Sequence, residues 1–384
     1  MRLFLAIPRS PNPSFTSDLW KANLHDPLVD MGHDVVLWDE GSQPLFDLDP
    51  DAAGTVPVRA RFSQRFLDSV ESAHRSSPLD LVITYFSDSH LEPGAIDRVR
   101  ERVGPIVNFF CNNVHQFHLV RRTAKHYLAC LVPEAEALGR YKAVGAMPLF
   151  FPMAANPKIY RPVAAAPRYD ATFAGQRYGD RTAGILALRE AGVDAHAFGQ
   201  HWAPSASAGT VPAATTRGAS VGRILELVLQ GRNPFVAARD RRDWERLRAR
   251  HPGALHGPVG DEAYVALFSE SRISLGFLVL GDTHRTRRPL RQIRLREFEA
   301  PMAGAFYLTG WLEEMTRHYE VGKEILCYRS LEEMADLARH YLANETERER
   351  IRRAGHERAK RDHTWQRRFE GLFAELLRMG VLRS

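Results

Sequence analysis

The stretch RLREFEAPMAGAFYLTG, residues 294–310, sets Arg294, Arg296, Glu297 and Glu299 just ahead of Pro301, and Gly304 just ahead of an apolar run. Upstream, THRTRRPLRQIRLR (283–296) holds six arginines and no acid. Such a cluster suits a diphosphate, because the guanidinium fork matches phosphate oxygens and keeps its charge. Proline lacks an amide hydrogen and is tolerated only near a helix's first turn, so a helix is expected to open at about Glu299. Gly304 should end it, and AFYLT should run on as a strand. Amide hydrogens left free at a helix start seat phosphate, and the Glu299 carboxylate accepts two hydroxyl hydrogens, as a ribose diol offers. The pattern reads as a nucleotide-diphosphate clamp. The plain alternative is that Glu299 caps its helix or pairs with an arginine, and that the arginines lie on a solvated loop.

A second glycine–arginine group is TFAGQRYGDR (172–181), where Gly175 follows a strand directly and allows close backbone approach to a ligand. Arg177 and Arg181 flank the next helix start. Taken singly, this is a tight turn with two surface arginines; two such groups at strand ends of one domain point to a site. In NFFCNNVHQFH (108–118) a strand ends in Asn112, Asn113, His115 and His118. Histidine suits acid, base or oriented hydrogen-bond work near neutral pH, and His115 is the candidate to face the reaction, against the reading of a polar loop residue. His363 reads as a helix cap. DLDPD (47–51) reads as a surface turn, and no metal site is expected.

Short apolar runs at 2–7, 34–38, 79–86, 105–110, 127–132 and 146–151 alternate with amphipathic stretches at 17–32 and 61–74, the pattern of βαβ units on a parallel sheet. Gly32 and Gly104 fall where helices should stop. Residues 151–170 bring four prolines and no periodicity, which places a domain boundary there. A second alternation follows: strands at 169–175, 194–199 and 272–280, helices at 181–192 and 261–271, and a small-residue loop at 203–219. Ser330 with Glu333 makes a capping box, Asn344 with Glu347 has the same spacing, and Gly355 lies where the latter helix should end. Two Rossmann-like halves imply a ligand at the carboxyl ends of the strands, but the turn PRSPNPSF after the first strand has no GxGxxG, which argues against a nicotinamide cofactor.

With 384 residues the chain suggests two domains, and its three scattered cysteines support neither a disulfide framework nor a zinc site. A reducing cytoplasm is the natural setting. No apolar run approaches the ~20 residues of a membrane span, which leaves peripheral membrane contact open. The formal charge of +6 favours anionic partners. Nucleic acid is not expected, since none of its recognition motifs is present.

The strings ISLGF, RLREFEAPMAGAFYLT, GKEILCY, YLANETERERIRRAGHERA and HTWQRRF resemble the CgeB-like (spore-maturation) glycosyltransferases of the GT-B superfamily, with weaker similarity at FFPMAANPKIYRP and TFAGQRYGDR, over residues 105–375 in all. The resemblance implies an α/β, GT-B architecture, with two Rossmann-like domains facing across a cleft. An acceptor domain would span 1–155 and a donor domain 165–362, with a C-terminal helix (363–384) returning to the first. It also implies metal-independent, retaining transfer from a nucleotide-diphosphate sugar, as co-substrate and with no cofactor, to a hydroxyl acceptor. In retaining GT-B enzymes a glutamate five residues before a glycine holds the donor ribose, a spacing that Glu299 and Gly304 match. Their phosphate-binding glycine and basic residues map to Gly175, Arg177 and Arg181, with Arg294 and Arg296 supplementary. Arg291 stands where such enzymes often carry another acid, which leaves both the sugar-contacting acid and the retaining or inverting outcome unassigned. Two rivals stay open, a nucleotide-sugar-binding protein without turnover and a basic nucleic-acid-binding protein.

Overall fold

The computed structural model describes residues 1–9, 18–203 and 233–382. The loop expected over 203–219 lies, beyond Ala203, outside the described residues. By its contacts the chain forms two units: one runs through Asn156 and resumes at Asp362, and the other spans Pro157–Arg361.

The first unit carries six parallel strands, β1 (Arg2–Ala6), β2 (Asp34–Trp38), β3 (Leu81–Thr84), β4 (Ile106–Phe109), β5 (Ala129–Val132) and β6 (Pro148–Phe150), in the order β2-β1-β3-β4-β5-β6. The runs LVIT, IVNF and ACLV are buried at every position, as strands covered on both faces must be. Helix Thr55–Ser76 buries Phe62, Phe66, Leu67 and Val70 along one stripe. Trp38 on β2 meets Phe62 and Phe66 edge-on, with ring centroids 5.2 and 5.6 Å away. The C-terminal helix Trp365–Arg378 packs in this unit, burying Trp365, Phe369 and Leu376. Trp365 donates from its indole nitrogen to Asn23 at 2.9 Å.

The second unit carries β7 (Tyr169–Ala174), β8 (Ala195–Phe198), β9 (Leu255–His256), β10 (Ser271–Leu275), β11 (Tyr307–Gly310) and β12 (Leu326–Tyr328), all parallel, in the order β12-β11-β10-β7-β8-β9. Phe173, Leu275, Phe277, Leu308 and Trp202 lie in its core. After β7 the chain moves to β8 on one side, whereas after β10 it moves to β11 on the other. Connections that part in this way leave a crevice at the carboxyl ends of β7 and β10.

Several expectations need correction. The strand expected over 272–280 stops at Leu275, although the Gly276 amide still donates to the Leu308 carbonyl at 2.9 Å; a Cβ at Gly276 would lie 2.3 Å from the Tyr307 and Thr309 hydroxyls, so the position is kept for glycine. The helix expected to open near Glu299 opens at Arg296: the Glu297 carboxylate reaches back to the Arg294 amide at 2.8 Å and closes the first turn. Pro301 therefore falls inside Arg296–Met302, a helix short enough to absorb the one hydrogen bond that a proline withholds. Gly355 does not end its helix, which runs Glu345–Asp362. A Cβ at Gly355 would lie 2.2 Å from the Glu324 carbonyl, so the glycine serves close packing. Asn344 uses its side-chain amide to close the preceding helix, donating to the His340 carbonyl at 2.7 Å.

Candidate functional site

β7 is followed directly by Gly175, whose amide donates to the Phe198 carbonyl and whose carbonyl accepts from Trp202, both at 2.7 Å. A Cβ on Gly175 would come within 2.9 Å of the Arg296 guanidinium and of the Phe173 ring, so the glycine is what lets that cation approach the strand end. The turn that follows uses Gly179 at φ +64, a backbone region that disfavours side chains, with the Gly281 carbonyl 3.2 Å from where a Cβ would stand. It delivers the chain into helix Arg181–Glu190.

Three arginines meet here. Arg181, 2% exposed, folds back so that its two terminal nitrogens donate to the Gln176 carbonyl at 2.6 Å and to the Tyr178 hydroxyl at 2.7 Å. Its guanidinium lies 3.6 Å from the centre of the Tyr178 ring and 4.9 Å from that of Phe173. Arg294 donates to the same Tyr178 hydroxyl and, at 3.5 Å, to the Val279 carbonyl. Arg296 covers the Phe173 ring at 4.9 Å. The polar partners of Arg181 and Arg294 are thus neutral. Burial pushes the Arg181 guanidinium down to about 9, and Arg294 and Arg296 add to the fall against the pull of Tyr178. Burial would raise the Tyr178 phenol, but Arg181 and Arg294 outweigh it and hold the phenol below the usual tyrosine range. Arg181 and Arg294, which repel each other and have uncharged side-chain partners, make a site suited to an anion, whereas Arg296 is answered by Tyr264 and Glu297.

The two glutamates behind the cluster are buried. Glu297 accepts from the Tyr307 hydroxyl at 2.9 Å and, as above, from the Arg294 amide, so it fixes the turn that carries the arginines. Glu299, 4% exposed, is hydrogen bonded by the hydroxyls of Tyr160 and Tyr264 and lies beside Arg296. Burial pushes its carboxyl up to about 7 despite those partners.

The structure therefore brings Gly175, Arg181, Arg294 and Arg296 together and joins Glu299 to them through Arg296. Arg177 turns away: it donates to the His201 carbonyl at 2.8 Å and stacks on Trp244, 4.1 Å from the ring centre. Gly304, at φ +75, ends the helix and leaves no room for a Cβ against Pro162, 2.9 Å away. Sequence reading missed Tyr178, Glu297, Tyr160 and Tyr264. Glu297 left a signal, three residues after Arg294 at capping-box spacing; the tyrosines left none, since only the fold brings them in.

In the first unit the strand ends are filled differently. Asp88, after β3, accepts from the Thr123 hydroxyl at 2.6 Å, the Thr123 amide at 3.0 Å and the Arg122 amide at 2.9 Å. His90 donates to the Ser42 carbonyl at 2.9 Å and accepts from the Ser87 amide, and burial pushes it down to about 3, so it is neutral. Glu134, after β5, accepts from the Asn113 side chain at 2.7 Å, and burial pushes it up to about 7. His115 and His118 are exposed, His115 on the short helix Asn113–Gln116. His363 is buried and lies 3.0 Å from an Arg368 nitrogen. Among the described residues no cluster of three or more His, Cys, Asp or Glu is placed to hold a metal ion, and no helix is long and apolar enough to cross a membrane.

No curated protein matches the chain in sequence. Residues 187–374 match the profile of a family described as glycosyl transferase-like. Among solved structures, sucrose-phosphate synthase of Thermosynechococcus elongatus is similar at a TM-score of 0.60 and 12% identity, over 99% of this chain and 100% of the other. Anabaena HepE, solved in complex with UDP and glucose, is similar at 0.57 and 11%, over 98% of each chain. A glycosyltransferase of Rickettsia africae is similar at 0.60 and 10%, over 98% of each. Two six-stranded parallel sheets flanked by helices, matched over nearly the whole length, give this chain the GT-B glycosyltransferase fold.

Proposed function

We propose that the chain is a glycosyltransferase that moves a sugar from a nucleotide-diphosphate donor to a hydroxyl-bearing acceptor, the second unit holding the donor. The observation that carries this reading is the meeting of Arg181 and Arg294 on the Tyr178 hydroxyl, with Arg296 close by over Phe173, at the ends of β7 and β10. A diphosphate brings two or more negative charges and relieves the repulsion among the three cations. As the glycosidic bond breaks, charge builds on the departing diphosphate, and fixed guanidiniums stabilise it in the role that a metal ion fills in other transferases. The match of residues 187–374 and the UDP and glucose bound by the Anabaena neighbour support the same donor class.

Within this proposal Glu299 takes the donor ribose: an ionised carboxylate has about four acceptor positions, and Tyr160 and Tyr264 fill two. The CgeB-like motifs, the retaining outcome inferred from the spacing of Glu299 and Gly304, and a cytoplasmic setting belong to the same reading. So do a role for His115 toward the sugar or acceptor, and Arg177 and Gly304 as supports of the donor loops. Time-resolved release of nucleoside diphosphate from a panel of UDP-, GDP-, ADP- and dTDP-sugars, with and without sugar and lipid-linked acceptors, tests it. Sustained release that rises with one acceptor supports transfer. Thermal stabilisation by a nucleotide sugar with no release under any acceptor would make the chain a binding protein.

A further inference from the structure

We propose that Tyr178 is a phosphate-binding residue, its hydroxyl donating to an oxygen of the donor's diphosphate between Arg181 and Arg294. This rests on the reading of the arginine cluster as the diphosphate site. A phenol has two acceptor lone pairs and one hydrogen. Arg181 donates to the oxygen at 2.7 Å and Arg294 donates to it as well, so both acceptor positions are filled. The remaining hydrogen cannot go to either guanidinium, because arginine has no acceptor. It is left for an anion that the same two arginines attract. Donation from two cations polarises the hydroxyl and strengthens it as a donor. Stacking holds the ring in place, with the Arg181 guanidinium 3.6 Å from its centre and that of Arg294 5.7 Å away. Gly179 and Gly281 bring the turn of Tyr178 against the loop leading to Arg294, so the hydroxyl joins two loops that the sheet alone would leave apart. Binding through Tyr178 would use a neutral donor where a fourth cation would only add repulsion.

Calorimetric titration of UDP and of inorganic pyrophosphate into the wild-type chain, Tyr178→Phe and Arg294→Gln tests the assignment. Tyr178→Phe keeps the ring and its stacking, and its thermal midpoint is measured alongside. The expected result is a loss of about tenfold to a hundredfold for both ligands, the range for a hydrogen bond to a charged group. Unchanged affinity overturns the proposal. Tighter binding overturns it in another way, making the phenol an internal occupant that phosphate displaces. A loss for UDP alone also overturns it, since the ring would then serve the nucleoside. If Arg294→Gln weakens both ligands while Tyr178→Phe weakens neither, the arginine reading stands and the tyrosine assignment fails. If Arg294→Gln changes neither ligand, the arginine reading itself fails.

Discussion

The strand ends of the two units differ in how their buried charges are answered. In the first unit each group has its partner nearby: Asp88 is closed by Thr123 and Arg122, His90 by Ser42 and Ser87, Glu134 by Asn113. In the second unit Arg181 and Arg294 share one neutral phenol and repel each other and Arg296. The sheets have related parallel topologies, so the difference comes from loop residues. A closed network contributes stability, whereas an open set of like charges gives up stability to hold a ligand.

The largest effect should come from opening the closed network. Asp88→Ala leaves the Thr123 hydroxyl and two backbone amides buried without an acceptor and should cost about 3 kcal/mol in urea unfolding, each such group costing roughly 1–3 kcal/mol. An unchanged urea midpoint would mean that the first unit is no more closed than the second. The converse change, Arg294→Gln, should weaken UDP by about 1.5–3 kcal/mol and leave stability within about 0.5 kcal/mol. Arg287→Gln, on the exposed part of the same arginine run, should alter neither by more than about 0.5 kcal/mol.

The buried glutamates sharpen the comparison through pH. Both Glu134 and Glu299 sit at about 7 in the folded chain, against 4.5 for an ordinary glutamate. Between these values the folded state holds protons that the unfolded state has released, so stability must fall as pH rises through the window, and the loss is complete above about 7. Each carboxyl should contribute to that fall in proportion to its own rise above the ordinary value. Glu134→Gln and Glu299→Gln should each flatten the measured curve, and a slope unaltered in both would contradict their burial. Glu299→Gln should also weaken UDP but not pyrophosphate if the carboxylate meets the ribose.

A smaller effect on stability alone serves as a control common to both units. Ser330 accepts from the Glu333 amide and Thr364 from the Arg367 amide, each at 3.1 Å. Alanine at either cap should cost about 1 kcal/mol by thermal unfolding and leave UDP affinity unchanged.

The strands were legible because buried parallel strands are written as continuous apolar runs, as in LVIT and IVNF. The Ser330 cap was legible because its partners are three residues apart. Arg177 and Arg181 looked equivalent in sequence; only the turn at Gly179 sends one to Trp244 and the other into the cluster. Gly355 read as a stop because local pattern carries no trace of the Glu324 carbonyl packed against it. Tyr178 sat unmarked inside a motif already singled out, because a hydroxyl's importance depends on the two cations that the fold brings to it from residues 181 and 294.

The most direct test of the donor site is a crystal structure of the chain with UDP bound. The account predicts phosphate oxygens at hydrogen-bond distance, roughly 3 Å, from the guanidiniums of Arg181 and Arg294. A diphosphate seated elsewhere, with both arginines still turned only to Tyr178, Gln176 and Val279, would contradict it.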